Sequence, residues 1–186
     1  MQLTKDIIMD AALEILDEFG LQDLTIRRLA RHLDAAAGAM YWHFPSKQAL
    51  LGAVADRLLE PLREFGTDPD ADWRANARAF AVALHDCLTS HRDGAEVVSA
   101  ALATGTATVR PADLLTPMLA DAPALASADD TGDAAATLVY FILGATVDEQ
   151  TAGHLAEVSG GDAPGHSDRR IANGTALILA GMASEA

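Results

Sequence analysis

A short basic stretch stands out in an otherwise acidic chain. Across 186 residues the formal net charge is −14. Between residues 24 and 50, however, four basic side chains stand against one acid, Asp34. Those basic residues are Arg27, Arg28, Arg31 and Lys47. Because phosphate groups are held by positive or hydrogen-bond-donating side chains, this stretch is where a phosphate-facing surface is expected.

Helix signals surround this basic stretch. Thr4, Thr25 and Ser46 each precede apolar residues at helical spacing, and their hydroxyls can cap a helix. Gly20 and Asp34 follow the first two patterns and suit the turn conformations in which helices end. The patterns predict helices from Thr4 to Gly20, from Thr25 to Asp34, over 36–43, and from Ser46 to Pro61, which ends or kinks the fourth helix.

The rest of the chain shows helical patterns as well, without the alternation of period two that marks strands. Helices are predicted over 73–90, 95–104, 111–122, 133–155 and 168–184. The sequence SGGDAPGHS, residues 159–167, has the composition of a loop. The predicted fold class is therefore all-α.

Composition and motifs exclude several classes of protein. With Cys87 as the single cysteine, no intramolecular disulfide and no all-cysteine metal site can form. No apolar run approaches the ~18–20 residues of a membrane span, and the acidic first 20 residues are unlike a secretory leader. Nucleotide-loop and hydrolase motifs are missing from the sequence. We therefore expect a cytoplasmic protein that is not an enzyme and carries no metal or cofactor.

Three short helices with a basic outer face, followed by a longer one, describe a helix-turn-helix module. The sequences TIRRLA (25–30), MYWHF (40–44) and SKQAL (46–50) resemble the signature of the TetR family of bacterial transcriptional repressors. Asp34-Ala35 stands where that family usually has Gly-Val. Trp73 and the sequence SHRDGA (90–95) look like the tetracycline-repressor branch of the family.

The resemblance implies an organisation and a function. It implies a three-helix helix-turn-helix domain at 1–45, a connecting helix at 46–65, and a larger helical ligand-binding and dimerisation domain at 66–186. The expected protein is a repressor that binds a palindromic operator in double-stranded DNA as a homodimer, with two heads ~34 Å apart. A small-molecule effector would release it, and Gly174 and Gly181 would let the partners' helices approach closely.

The resemblance also assigns DNA contacts. Thr25, Tyr41 and Lys47 would hold the phosphate backbone. Arg27 could bond guanine bidentately, whereas the base-facing positions 37–39 offer only methyl contact or close approach. Sequence readout is therefore expected to depend on Arg27, His43 and the shape of the DNA. Trp42 belongs to this set although its own side chain is expected to pack. The predicted DNA-binding set is Thr25, Arg27, Arg28, Ala37, Gly38, Ala39, Tyr41, Trp42, His43 and Lys47.

The implied effector site departs from the family's pattern. Aligned on residues 91–95, the family's metal-binding histidine becomes Val98, and other polar anchors become Phe80, Leu84 and Leu102. An apolar pocket cannot hold a hydrated metal, so we expect no magnesium–tetracycline site and a more apolar effector. The predicted ligand-binding set is Arg63, Phe80, Leu84, Val98, Leu102, Phe141 and Asp148. The competing interpretation is that the four apolar residues are ordinary core.

Two further expectations are open at this point. The turn at 92–94 is expected to hold on to the DNA-binding domain. The alternative function is a helical protein-interaction module that binds a partner through its acidic face and has a degenerate DNA head. The bare positions Ala37, Gly38 and Ala39 favour that alternative.

Overall fold

The computed structural model describes residues 3–160 and 167–183. Within those ranges the chain forms helices and no strand, in agreement with the predicted all-α class. In chain order the α-helices are α1 (Lys5–Phe19), α2 (Ile26–His32), α3 (Ala37–His43), α4 (Lys47–Leu58), α5 (Glu60–Arg63), α6 (Trp73–Thr89), α7 (Gly94–Ala103), α8 (Pro111–Leu115), α9 (Ala128–Ser159) and α10 (Ser167–Met182). A short 3₁₀-helix, Thr116–Leu119, follows α8.

The chain divides into two compact units. The first contains residues 1–60 and 88–109, and the second contains 61–87 and 110–186. The first unit thus combines α1–α4 with α7, which lies far along the chain. The sequence predicts different boundaries, after residues 45 and 65, which separate segments by their expected functions. Those domain boundaries stay a prediction. In the part of the chain that the structure describes, no helix is long and apolar enough to cross a membrane.

The N-terminal helices begin where the sequence predicts. Thr4, Thr25 and Ser46 are the N-caps of α1, α2 and α4, and each side chain accepts a hydrogen bond from the backbone N–H three residues later. Gly20 follows α1 with a φ of 79°, and its N–H donates to the carbonyl of Leu16. These local bonds satisfy backbone groups that a helix end leaves without partners.

Asp34 forms the turn between α2 and α3. Its φ is 48°, in the left-handed region that few residues other than glycine adopt. The turn sends the chain into α3 and brings together the apolar sides of the first three helices. Ile15, Leu29 and Met40 are fully buried there. The departure from the family's usual Gly-Val is therefore accommodated at this turn.

Helix α4 packs closely on α7 and on the loop that follows it. Gly52 makes the approach possible, because a Cβ at this position would lie 2.8 Å from the carbonyl carbon of Thr106. One turn later, the Asp56 carboxylate accepts hydrogen bonds from the N–H groups of Thr108 and Val109 and from the Thr108 hydroxyl, at 2.7–2.8 Å. The sequence predicts that Pro61 ends or kinks this helix. Helix α4 ends at Leu58, three residues earlier, and Pro61 lies in the short helix α5 that follows.

In the second unit, α9 packs on α8 and α10. His85 Nε2 lies 2.8 Å from Glu149 Oε2, which links α6 to α9. The predicted helix over 133–155 is shorter than the observed α9, Ala128–Ser159. Helix α9 begins earlier because the Ser127 hydroxyl caps it by accepting a hydrogen bond from the N–H of Asp130. The predicted helix over 111–122 is divided into α8 and the 3₁₀-helix, since Pro117 lacks the N–H that would continue the α-helical pattern. Most of the predicted loop at 159–167 lies outside the described residues.

Candidate nucleic-acid interface

Three helices of the first unit contribute to one open recess of about 340 Å³. Its lining comes from the start of α2, the outer side of α3 and the start of α4. The lining residues are Thr25, Ile26, Arg27, Tyr41, Ser46 and Lys47. All three residues expected to hold the DNA backbone are therefore in one place. This group is called the α2–α4 recess below.

The polar groups of the α2–α4 recess suit a phosphate oxygen. The Thr25 hydroxyl oxygen accepts from the N–H of Arg28 at 3.1 Å, and the Ser46 hydroxyl oxygen accepts from the N–H of Ala49 at 3.1 Å. Each hydroxyl keeps its hydrogen for a further acceptor. With the Lys47 ammonium group and the Tyr41 phenol, the recess offers donors and positive charge.

The outward face of α3 consists of small residues and one large aromatic side chain. Ala37, Gly38 and Ala39 are exposed, and a Cβ at Gly38 would meet open space. Trp42 is 87% exposed, so the expectation that its side chain packs is wrong. His43, the last residue of α3, is partly buried. Backbone and methyl groups are therefore exposed on this face, and their close approach to a base edge stays a prediction.

Arg28 has partners inside the protein. Its Nη1 donates to Asp23 Oδ1 at 2.8 Å, and its guanidinium lies 3.7 Å from the centre of the Phe19 ring. The ion pair with Asp23 is half-exposed and by itself contributes little to the stability of the fold. The contact with the Phe19 ring fixes the direction of the Arg28 side chain. This geometry gives the Arg28 side chain a role at the α1–α2 junction. It does not test the predicted contact of Arg28 with DNA.

The turn that precedes α7 is bound to the end of α1. Asp17 accepts from the backbone N–H of Arg92 at 3.1 Å, and its other carboxylate oxygen lies 2.8 Å from His91 Nδ1. Asp93 Oδ2 in turn accepts from the N–H of Leu21 at 2.7 Å. The expected contact of this turn with the N-terminal helices is therefore present.

The predicted ligand-binding residues fall in both compact units. Phe80 and Leu84 are fully buried in the second unit, whereas fully buried Val98 and partly buried Leu102 belong to the first. Arg63 is exposed on α5. These positions are compatible with core packing, and their effector role stays a prediction.

The other two predicted ligand-binding residues contact α10. A Cβ at Gly174 would lie 2.6 Å from Cε2 and 2.7 Å from Cε1 of the Phe141 ring, so the missing side chain at this glycine makes room for a ring of its own chain. The Asp148 carboxylate forms an ion pair with Arg170.

Sequence reasoning missed Ser46 as a site residue. Its role as a helix cap is predicted, yet its hydroxyl also lines the α2–α4 recess beside Lys47. A signal for this role is present in the sequence. Like Thr25, Ser46 is a hydroxyl-bearing residue that caps a helix with a basic residue in its first turn.

Comparison with known proteins decides the family. The model of the TetR family of bacterial regulatory proteins matches residues 8–54. The model of the tetracycline repressor-like C-terminal domain matches residues 65–164. The class C tetracycline repressor of Escherichia coli is 34% identical over 87% of this chain and 73% of its own length. This chain belongs to the TetR family. It is a transcriptional regulator of the tetracycline-repressor-like type.

Several solved structures are similar to this chain over nearly its whole length. BioQ of Mycobacterium smegmatis is 41% identical, with a TM-score of 0.85 over 99% of this chain and 100% of the other. BioQ with its double-stranded DNA operator gives 40% identity, a TM-score of 0.84 and the same coverage. TetR from Acinetobacter baumannii AYE is 26% identical, with a TM-score of 0.75 over 97% of this chain and 96% of the other.

Proposed function

We propose that this TetR-family regulator is a repressor that binds a palindromic operator as a homodimer and is released by a small, fairly apolar effector. The α2–α4 recess carries the proposal, because it places Thr25, Tyr41 and Lys47 around one open space. The operator complex of the similar BioQ structure supports DNA as the partner. A regulator that acts on the chromosome would work in the cytoplasm.

Exposed faces of α9 and α10 support the homodimer. Tyr140 is 70% exposed and Leu177 is 75% exposed. One turn further along each helix, a Cβ at Gly144 or Gly181 would meet open space. Large apolar side chains beside glycines of the same face suit the close packing of a second copy's helices. A palindromic operator also requires two heads, which a dimer supplies.

The first unit suggests how an effector acts on DNA binding. Val98 and Leu102 are on α7, and α7 packs on α4. Gly52 and Asp56 hold α4 against the loop that follows α7. An effector that displaces α7 would therefore displace α4, whose start lines the α2–α4 recess.

The chemistry of the effector follows from the residues at the family's ligand positions. Phe80, Leu84, Val98 and Leu102 offer no ligand to a hydrated cation. We therefore expect a tetracycline titration to show no magnesium-dependent binding at micromolar concentration. Such binding would overturn the apolar effector while leaving the repressor function in place.

An electrophoretic shift assay over a range of salt concentrations tests the function. The probe is a duplex from the region upstream of the protein's own gene. Wild-type protein should bind it with an affinity that falls steeply as salt rises, and Lys47→Ala should weaken binding and reduce the salt dependence. Lys5→Ala is the matched control, because Lys5 is exposed at the start of α1.

The alternative, a protein-interaction module with a degenerate DNA head, gives a different result. This alternative is favoured by the outward face of α3, where Ala37, Gly38 and Ala39 are exposed and carry no polar side chains. It predicts no binding above that of an unrelated duplex, and no difference between Lys47→Ala and Lys5→Ala. That outcome would overturn the repressor function.

A further inference from the structure

Helix α2 divides its basic residues between two faces. Arg27 and Arg31 are four residues apart, as are Arg28 and His32, so each pair shares one face. In sequence the four residues form one polar face. In the structure the two pairs have different surroundings.

One pair is held by the N-terminal part of the protein. Arg28 is bonded to Asp23 and stacked on Phe19. His32 Nε2 lies 2.9 Å from Glu14 Oε2 on α1. The Asp23 carboxylate compensates part of the Arg28 charge, and the contact with Glu14 fixes the direction of the His32 ring. This face therefore joins α2 to α1.

The other pair faces outward. Arg27 and Arg31 are exposed, and neither guanidinium forms an ion pair or hydrogen bond with any residue the structure describes. Arg27 lines the α2–α4 recess. Arg31 is one helical turn further on, next to the turn that leads into α3, since its carbonyl accepts from the N–H of Asp34 at 3.2 Å.

The surroundings of Arg31 leave its charge uncompensated. The residues that follow the turn, Ala36 and Ala37, are exposed and carry only methyl groups. Asp34 is the nearest acid in sequence, and its left-handed backbone places it in the turn without an ion pair to Arg31 among the described residues. A long, exposed cation on the face that already carries Arg27 suits a DNA phosphate.

We propose that Arg31 contacts a backbone phosphate of the operator and that Arg28 is a positioning residue that holds the α1–α2 junction. The two neighbouring arginines thus have opposite roles. This inference rests on the proposed function, because it requires that the first unit binds DNA.

The experiment measures how the affinity for DNA depends on salt. The probes are a fluorescein-labelled duplex from the region upstream of the protein's own gene and a duplex of unrelated sequence. The variants are Arg31→Ala, Arg31→Lys, Arg28→Ala and Arg28→Lys, all studied as the full-length protein. Each contacted phosphate contributes about 0.9 to the slope of log K against log salt, hence about 1.8 for a dimer with two heads.

The proposal has distinct expected results. Arg31→Ala should reduce the slope by about 1.8 on both duplexes and leave the melting temperature unchanged, whereas Arg31→Lys should restore the slope. Arg28→Ala should lower the melting temperature and keep the wild-type slope, and Arg28→Lys should not restore stability, because lysine lacks the planar group that stacks on Phe19.

Two results would overturn the proposal, and a third concerns the function. An unchanged slope for Arg31→Ala, while Lys47→Ala reduces it, would show that Arg31 contacts no phosphate. A reduced slope for Arg28→Ala would show that its pairing with Asp23 does not keep it from DNA. If the wild-type protein binds neither duplex, the proposed function itself fails, which the same titration shows directly.

Discussion

Replacing Gly52 by alanine sets two effects against each other. Gly52 is within α4, where alanine is favoured over glycine by about 1 kcal/mol. Because the backbone at Gly52 does not need a positive φ, the usual expectation for this change is a gain in stability. The position is buried against the loop that follows α7, however, and the new methyl group has no room there.

The structure indicates which effect is larger. The added Cβ would lie 2.8 Å from the carbonyl carbon and 2.9 Å from the Cβ of Thr106, and still closer to the carbonyl oxygen. These atoms include backbone, which cannot rotate away. Either α4 or the loop must move, and such overpacking lowers the free energy of unfolding by about 1–3 kcal/mol. Movement would also loosen the bonds of Asp56 to Thr108 and Val109, at about 1 kcal/mol for each bond lost.

We therefore expect Gly52→Ala, if both Asp56 bonds are lost, to lower the free energy of unfolding by about 2–4 kcal/mol after the gain in helix propensity is subtracted. The assay is urea denaturation at one fixed protein concentration, because the stability of a dimer depends on concentration. In a thermal scan the melting temperature should fall by about 2–4 °C for each kcal/mol.

Gly38→Ala is the matched control. Gly38 is also a helical glycine, but a Cβ there would meet nothing within 4 Å. It should leave stability unchanged or raise it by up to about 1 kcal/mol. If Gly52→Ala is as stable as Gly38→Ala, the close approach of α4 to the loop is not rigid, and the proposed coupling of α7 to α4 would fail with it.

Three other outcomes follow from single positions. Gly174→Ala should destabilise the protein by forcing the Phe141 ring aside, and Phe141→Leu should recover part of the loss in a denaturation series. Leu177→Glu should shift the dimer towards monomer in sedimentation, whereas Val82→Glu on α6, 55% exposed, should not. Burial, with a smaller contribution from Asp86, raises the pKa of the Cys87 thiol. Because the unfolded thiol loses its proton first as pH rises, stability should fall above about pH 8.5, and Cys87→Ala should reduce that fall.

Each of these outcomes has a result that contradicts it. An unperturbed Gly174→Ala would show that the Phe141 ring moves freely. A dimeric Leu177→Glu with native helix content would place the interface elsewhere. Identical pH profiles for Cys87→Ala and wild type would show that the thiol does not titrate differently in the folded protein.

The helix-turn-helix region could be predicted from sequence because its signals are local. Thr25 caps α2 through a bond to a residue three positions away, and Gly20 and Asp34 adopt the backbone conformations that their side chains permit. Neighbouring residues decide such features wherever the rest of the chain goes. The family signature lies on the same helices, so the fold and the recess residues Thr25, Tyr41 and Lys47 could be named together.

Contacts between distant residues could not be predicted in this way. The sequence analysis predicts that the Trp42 side chain packs, yet no element covers it within the described first unit, and it is 87% exposed. The space at Gly174 was expected to serve a partner's helix, but its own chain's Phe141 fills it.

What the sequence by itself determined is which residues form the helices, which of their sides are polar, and where the positive charge lies. Only the tertiary structure decided which of the basic side chains have partners. Arg28 is held by Phe19 and Asp23, and His32 by Glu14, because α1 and its loop pass that side of α2. Arg31 meets no such neighbour among the described residues. Charge is a property of a side chain, whereas its compensation depends on which carboxylates the fold brings within a few ångströms.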